Sequence, residues 1–190
     1  MIEPNMATML TFVMTDVELP SPGADLQAAL VDAVNQPGSL NRITVDSDQS
    51  TSDTCFLISS DKVKATTPED VAAFRAALVD VCAELAEDVV RNGEGTNHVI
   101  RVEVRGAPSL ELAHGAGKAI ANSPLVKSAV YGNDPNVGRV MAALGSYLGR
   151  QPSAYVAKRL PERTTVKVGG IPVFEKGEFC LTPVKEAQLH

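Results

Sequence analysis

The stretch from Thr67 to Gly93 constrains this chain more than any other. Thr67-Pro68-Glu69-Asp70 offers an N-cap hydroxyl, a proline for the first helical position, and two carboxylates for the positive end of a helix dipole. Val71, Phe74, Leu78, Val81, Leu85 and Val89 then recur at steps of three and four, and Asn92-Gly93 closes the run. This pattern predicts a long amphipathic helix with one dry face, which has to be covered by a sheet or by other helices.

The flanking segments supply the rest of an α/β chain. Met9–Thr15 (MLTFVMT) is short, apolar and rich in β-formers, and reads as a buried strand broken by Pro20, Pro22 and Gly23. A helix follows, with Leu26, Leu30, Ala33 and Val34 on one face and Pro37-Gly38 as its stop. Ile43–Val45 and Thr54–Ser60 read as strands around a polar stretch. Further along, Ile100, Val102 and Val104 alternate with Arg101, Glu103 and Arg105, the period of a half-buried strand. Pro108–Asn122 reads as a helix weakened by Gly115 and Gly117, and Leu125–Tyr131 as a strand. Val137, Val140, Met141, Leu144 and Leu148 form a second helical stripe, and Val166–Val173 a hairpin turning at Gly169-Gly170. Pro183–His190 reads as a helix only just begun.

The 190 residues fit one domain, or one domain and a piece of another. Lys and Arg number 17 against 23 Asp and Glu, a net charge of −6, which argues against a nucleic-acid backbone or an anionic membrane as partner. Aromatic residues are 4% with no Trp, which argues against base-stacking platforms. Cys55, Cys82 and Cys180 are odd in number and widely spaced, fitting a reducing cytoplasm and neither a disulfide framework nor a thiolate metal site. No apolar run approaches the ~18 residues of a membrane span, and Met1–Met6 lacks the pattern of a secretory signal.

Several constellations invite chemistry. Asp46–Asp53 (DSDQSTSD) fails as a calcium loop, because Thr51 and Leu57 stand where Gly and Glu are required. Asp46-x-Asp48-x-Ser50 after a strand resembles the magnesium-dependent phosphohydrolases of the haloacid-dehalogenase type, with Asp46 as nucleophile; a capped loop is the plainer alternative. His114–Lys118 lacks the residues of a phosphate loop, and His98, His114 and His190 are too far apart for a local zinc motif. Cys55 and Cys82 lie on apolar segments and read as small hydrophobes. Ala7-Thr8 places a small residue before a Thr that opens a strand.

Four segments together carry a resemblance. Met1–Asp16 (MIEPNMATMLTFVMTD) resembles the self-cleavage region of the ornithine acetyltransferases, also called bifunctional glutamate N-acetyltransferases. Thr44–Thr54 (TVDSDQSTSDT) is similar to that family's acidic loop, Asn92–Thr96 (NGEGT) to its Gly-Glu-Gly turn, and Val126–Gly145 to its Asp-Pro-Asn segment and following helix.

The resemblance implies an α/β fold, an α+β layered sandwich of mixed sheets and packed helices, incomplete relative to the family. It implies autoproteolysis at Ala7-Thr8, so that 1–7 ends an α chain and 8–190 is β-chain-like and short at its C-terminal end. Thr8 is then the nucleophile and a substrate-binding residue, and Glu94 binds the substrate's amino group. The implied reaction moves acetyl from N2-acetylornithine to glutamate through an acetyl-threonine, in arginine biosynthesis. No metal or resident cofactor is implied; acetyl-CoA as a second donor is left open. The implied partner is the α chain, in an assembly of two α and two β chains. Thr hydroxyls need an adjacent base, and cleavage supplies one: the freed α-amine, with an unperturbed pKa of roughly 8.

Three positions depart from the family pattern: Val137 replaces a common Trp, and Ser47 and Ser52 replace Gly and Asn in the acidic loop. The family's oxyanion-hole pair and substrate-binding Lys, from the α chain, and its C-terminal Asn and Ser/Thr find no match here. The isolated chain is therefore expected to be inert; a non-catalytic remnant is the further alternative.

Overall fold

The computed structural model describes residues 9–45, 47, 52–152 and 162–189. The chain forms two compact units, Met1–Val99 and Ile100–His190.

The first unit is a βαβα arrangement. Strand β1 (Leu10–Glu18) leads into helix α1 (Pro22–Asn35), a 3₁₀ turn (Leu40–Arg42), strand β2 (Thr54–Lys64) and helix α2 (Pro68–Arg91). β1 and β2 pair in parallel, with Leu10 opposite Thr54 and Thr15 opposite Ser59. Beyond Thr15 the register shifts, so that Val17 faces Val63. β2 carries the extra residues: Asp61 has φ +54°, and the Ser59 hydroxyl donates to the Val17 carbonyl at 2.6 Å while accepting from the Asp61 N–H.

Both long helices start as their sequences dictate. α2 has the predicted Thr67 cap, and Asp70 completes a reciprocal box by accepting from the Thr67 backbone. Pro22 opens α1, and Gly38, at φ +81°, follows its end. One core cluster joins Val13 of β1, Ala29 and Ala33 of α1, and Leu78 and Cys82 of α2. A second joins Met9, Leu40, Ile43 and Ala86, with Val34, Val89 and Val90 packed against it.

Among the described residues the sheet is covered on one face only, which corrects the expectation of a fully buried Met9–Thr15. Met9, Thr11 and Val13 are buried, but Leu10, Phe12 and Met14 are 55%, 53% and 78% exposed. Both helices draw on the same pleat face, and the alternate side chains of β1 point the other way. The expected strand Ile43–Val45 is also corrected: only an isolated bridge at Thr44 is present, because the 3₁₀ turn runs up to Ile43.

The second unit is mostly helical, with α3 (Leu110–Ala121), α4 (Pro124–Tyr131), α5 (Val137–Gly149), a small antiparallel sheet of β3 (Val166–Val168), β4 (Ile171–Glu175) and β5 (Glu178–Phe179), and α6 (Pro183–Leu189). The hairpin turns at Gly169-Gly170 as predicted, with φ +55° and +83°, values open to glycine. α5 packs on α3 and α4.

Two expectations fail in this unit. Leu125–Tyr131 is helix α4: the Ser123 hydroxyl accepts from the Val126 N–H at 3.3 Å, Pro124 takes the first turn, and Val126 and Ala129, three apart, are the buried residues. Ile100–Val104 has the alternation of a strand but is assigned no ladder among the described residues. Ile100, Val102 and Val104 instead line a cavity of about 690 Å³ with residues of α3, α4, α5 and β3.

Candidate functional site

The candidate residues Ala7 and Thr8 lie outside the described residues, as do Asp46 and Asp48. What the structure defines is the residue bonded to Thr8. Met9 is held by three independent means. Its N–H donates to Asp53 Oδ1 at 3.1 Å, its carbonyl accepts from the Thr54 N–H at 2.9 Å, and its side chain is 4% exposed in the second core cluster. The two hydrogen bonds come from neighbouring residues at the start of β2, so the acidic loop and the start of β1 are tied together.

The topology explains why other candidate residues collect at this end. With β1 and β2 parallel, α1 and α2 both run back, and their final turns reach the level of the strands' amino ends. Val34 of α1 and Ala86, Val89 and Val90 of α2 pack around Met9 accordingly. Glu94 follows directly in the turn after α2, where Gly95 adopts φ +70° and the Thr96 N–H closes onto the Gly93 carbonyl at 3.0 Å. Glu94 itself is exposed. The start of β1, the end of the acidic loop and the Gly-Glu-Gly turn therefore share one end of the first unit. Ligand crevices of open α/β sheets ordinarily lie at the opposite, carboxyl ends of the strands. There a groove of about 460 Å³ runs between β1, β2 and α2, and its lining is mostly apolar.

Asp53 was missed by sequence reasoning as an individual; it was one acidic residue among three in the stretch Asp46–Asp53. The signal was its place directly before a strand. Its Oδ2 is buried and has no hydrogen-bond partner among the described residues.

The Asp-Pro-Asn segment is organised as a helix start. Asn133 has φ +50°, the Asp134 carboxylate accepts from the Asn136 side chain at 3.0 Å, and Asn136 Oδ1 accepts from the Arg139 N–H at 3.2 Å. Val137 is buried at the first position of α5. The two cysteines of the first unit behave as read from sequence: burial raises the thiol pKa of both, that of Cys55 to about 11 with Cys82 beside it. No cluster of three or more His, Cys, Asp or Glu able to hold a metal occurs among the described residues. No helix among them is long and apolar enough to cross a membrane.

These features define an α/β protein whose first strand is anchored at Met9, the residue that follows Thr8 in sequence. The ArgJ family model matches residues 1–190, and the chain belongs to this family. It is 50% identical over 150 residues to the arginine biosynthesis bifunctional protein ArgJ of Methylococcus capsulatus, covering 76% of this chain and 36% of that protein. The corresponding protein of Agrobacterium fabrum is 43% identical over 186 residues, 94% of this chain and 42% of that protein. The glutamate N-acetyltransferase of Methanopyrus kandleri is 45% identical over 148 residues, 77% of this chain and 37% of that protein. Among solved structures, arginine biosynthesis bifunctional protein ArgJ from Bacillus halodurans matches with a TM-score of 0.78 at 36% identity, covering 96% of this chain and 81% of that chain. The chain thus spans about two fifths of the length of these curated relatives. The phosphohydrolase alternative on Asp46 finds no support in these relatives.

Proposed function

We infer that this chain is the nucleophile-bearing part of an acetyltransferase of arginine biosynthesis, with Thr8 as the attacking residue. The observation that carries this reading is the anchoring of Met9, which fixes the strand on which Thr8 is the preceding residue. Cleavage of Ala7-Thr8 would turn Thr8 into a chain end whose own α-amine serves as base. In the transfer, Thr8 Oγ attacks the acetyl carbonyl of N2-acetylornithine. Its proton passes by way of the α-amine to the leaving ornithine nitrogen, and acetyl-Thr8 remains. The amine of glutamate then attacks that ester, takes the acetyl group and returns a proton to Thr8 Oγ. Glu94, exposed at the same end, would pair with the charged amino end of the substrate.

The tetrahedral intermediates need donors aimed at the oxyanion, and these would come from the α chain, the partner in an assembly of two α and two β chains. The site calls on no metal or resident cofactor. Acetyl-CoA is the one added co-substrate to assay, as donor to glutamate. The protein would act in the cytoplasm, with no role for nucleic acid or membrane.

Thr8→Ala should abolish cleavage and transfer together, and Thr8→Ser should retain part of both. Intact mass and acetylornithine-to-glutamate exchange measure the two; an active Thr8→Ala protein would sink the reading. Glu94→Gln should leave cleavage intact and weaken substrate binding by about 1.5–3 kcal/mol, some 10–150-fold in KM.

A further inference from the structure

Asp53 enters the reading above only as an anchor of Met9, yet its geometry is hard to account for as loop capping alone. A loop carboxylate that only caps a backbone N–H can leave its other oxygen in water. Here Oδ1 reaches across 44 residues of sequence to the Met9 N–H, while Oδ2 is buried with no hydrogen-bond partner among the described residues. A buried carboxylate oxygen without a donor is unfavourable, and each such group calls for a physical explanation. Nor is the bond needed to hold Met9, whose carbonyl and side chain are already fixed by Thr54 and by Leu40, Ile43 and Ala86. What Asp53 adds is a grip on the peptide unit that joins Met9 to Thr8, and that unit is planar.

We propose that Asp53 is the positioning residue of the Thr8 centre. Oδ1 fixes the Thr8–Met9 peptide, and Oδ2 accepts a hydrogen bond from the Thr8 α-amine once the bond to Ala7 is cut. This rests on Thr8 being the nucleophile. Before cleavage the nitrogen of residue 8 is an amide; afterwards it is an amine whose N–H groups need an acceptor. An amine that donates one N–H to a held carboxylate has its rotation set, which keeps its lone pair available to the hydroxyl of the same residue. Small errors in such alignment are expensive, on the order of 10²-fold in rate for 1 Å.

The test uses the assembled protein, with the remainder of the family's length supplied in the same chain or a second one. Asp53→Asn keeps a carbonyl oxygen for the Met9 N–H but replaces the second acceptor with a donor; Asp53→Ala removes both. Asp53→Asn should cleave and keep KM for acetylornithine within about threefold, while kcat falls on the order of 10²-fold. Asp53→Ala should also slow cleavage. Wild-type kcat in Asp53→Asn, or equal losses in kcat and in circular-dichroism melting, would overturn the proposal. Thr8→Ala run alongside separates the two ideas: if it is inert while Asp53→Asn is fully active, only the role of Asp53 fails. If Thr8→Ala is active, the nucleophile assignment fails first. A crystal structure of the cleaved wild-type protein decides independently of any variant's folding. An Oδ2 to α-amine distance within hydrogen-bond range supports the proposal, and one well beyond it refutes the proposal.

Discussion

The rings of Phe12 and Phe56 stack 5.2 Å apart and 11° from parallel on the sheet face opposite α1 and α2. Phe12 and Phe56 are cross-strand partners in the parallel register, flanked by exposed Leu10, Met14 and Ile58. A contiguous apolar face of this kind drives association. The isolated chain should therefore self-associate, and Phe12→Ser with Phe56→Thr should shift it toward monomer in light scattering after size exclusion. An unchanged mass distribution would show that this face plays no part.

Gly115 is a helix position where alanine should be harmful. A Cβ there would lie 1.9 Å from the Tyr147 hydroxyl, where α5 meets α3. In an open helix Gly→Ala gains up to about 1 kcal/mol, but here overpacking of ~1–3 kcal/mol opposes it. Gly115→Ala should lower Tm, and Tyr147→Ala should relieve much of that loss. Additive effects in the double-mutant cycle would show that the two residues do not share the space.

Ser47 stands where the family pattern has Gly, and its φ is +78°. A non-glycine residue in this region carries strain of roughly 1–2 kcal/mol. Ser47→Gly should recover part of it, less the extra entropy of an unfolded glycine. A rise in the urea midpoint at constant m would bear this out; a fall would mean that the Ser47 side chain supplies more than it strains.

The buried thiols set an alkaline limit on the first unit. Burial, with Cys82 nearby, pushes Cys55 from its ordinary value near 9 up to about 11. Above pH 9 the unfolded chain loses a proton that the folded chain keeps, so stability should fall as pH rises and level off past about 11. Cys55→Ala with Cys82→Ala should flatten this stretch of the Tm–pH curve relative to wild type. Iodoacetamide at pH 8 should leave both thiols unmodified in the folded protein.

Much of the frame was legible because local signals agreed with the global pattern. Thr67, Pro68 and the stripe Val71–Val89 all specify α2, and the Gly pair specifies the hairpin. Ser123-Pro124 carried the same kind of helix start as Thr67-Pro68, but the apolar, β-branched run behind it suggested a strand. Ile100–Val104 alternated as a strand should; pairing depends on partners that periodicity cannot supply. Thr8 and Glu94 came from the resemblance alone; the parallel register brings Met9, the end of the acidic loop and Glu94 to one end of the first unit. The bond from Met9 to Asp53 had no local signal, because it joins residues 44 apart through a crossover whose geometry only the fold sets.

The close approach of Gly115 and Tyr147 also orders how this sequence can change over generations. A larger residue at 115 has room only when the Tyr147 ring moves aside or position 147 becomes smaller, whereas a smaller residue at 147 leaves only a cavity. The lower-cost route to an α3–α5 contact built on a different pair of side chains therefore opens with the loss of the tyrosine, and a chain that keeps Tyr147 favours glycine at 115.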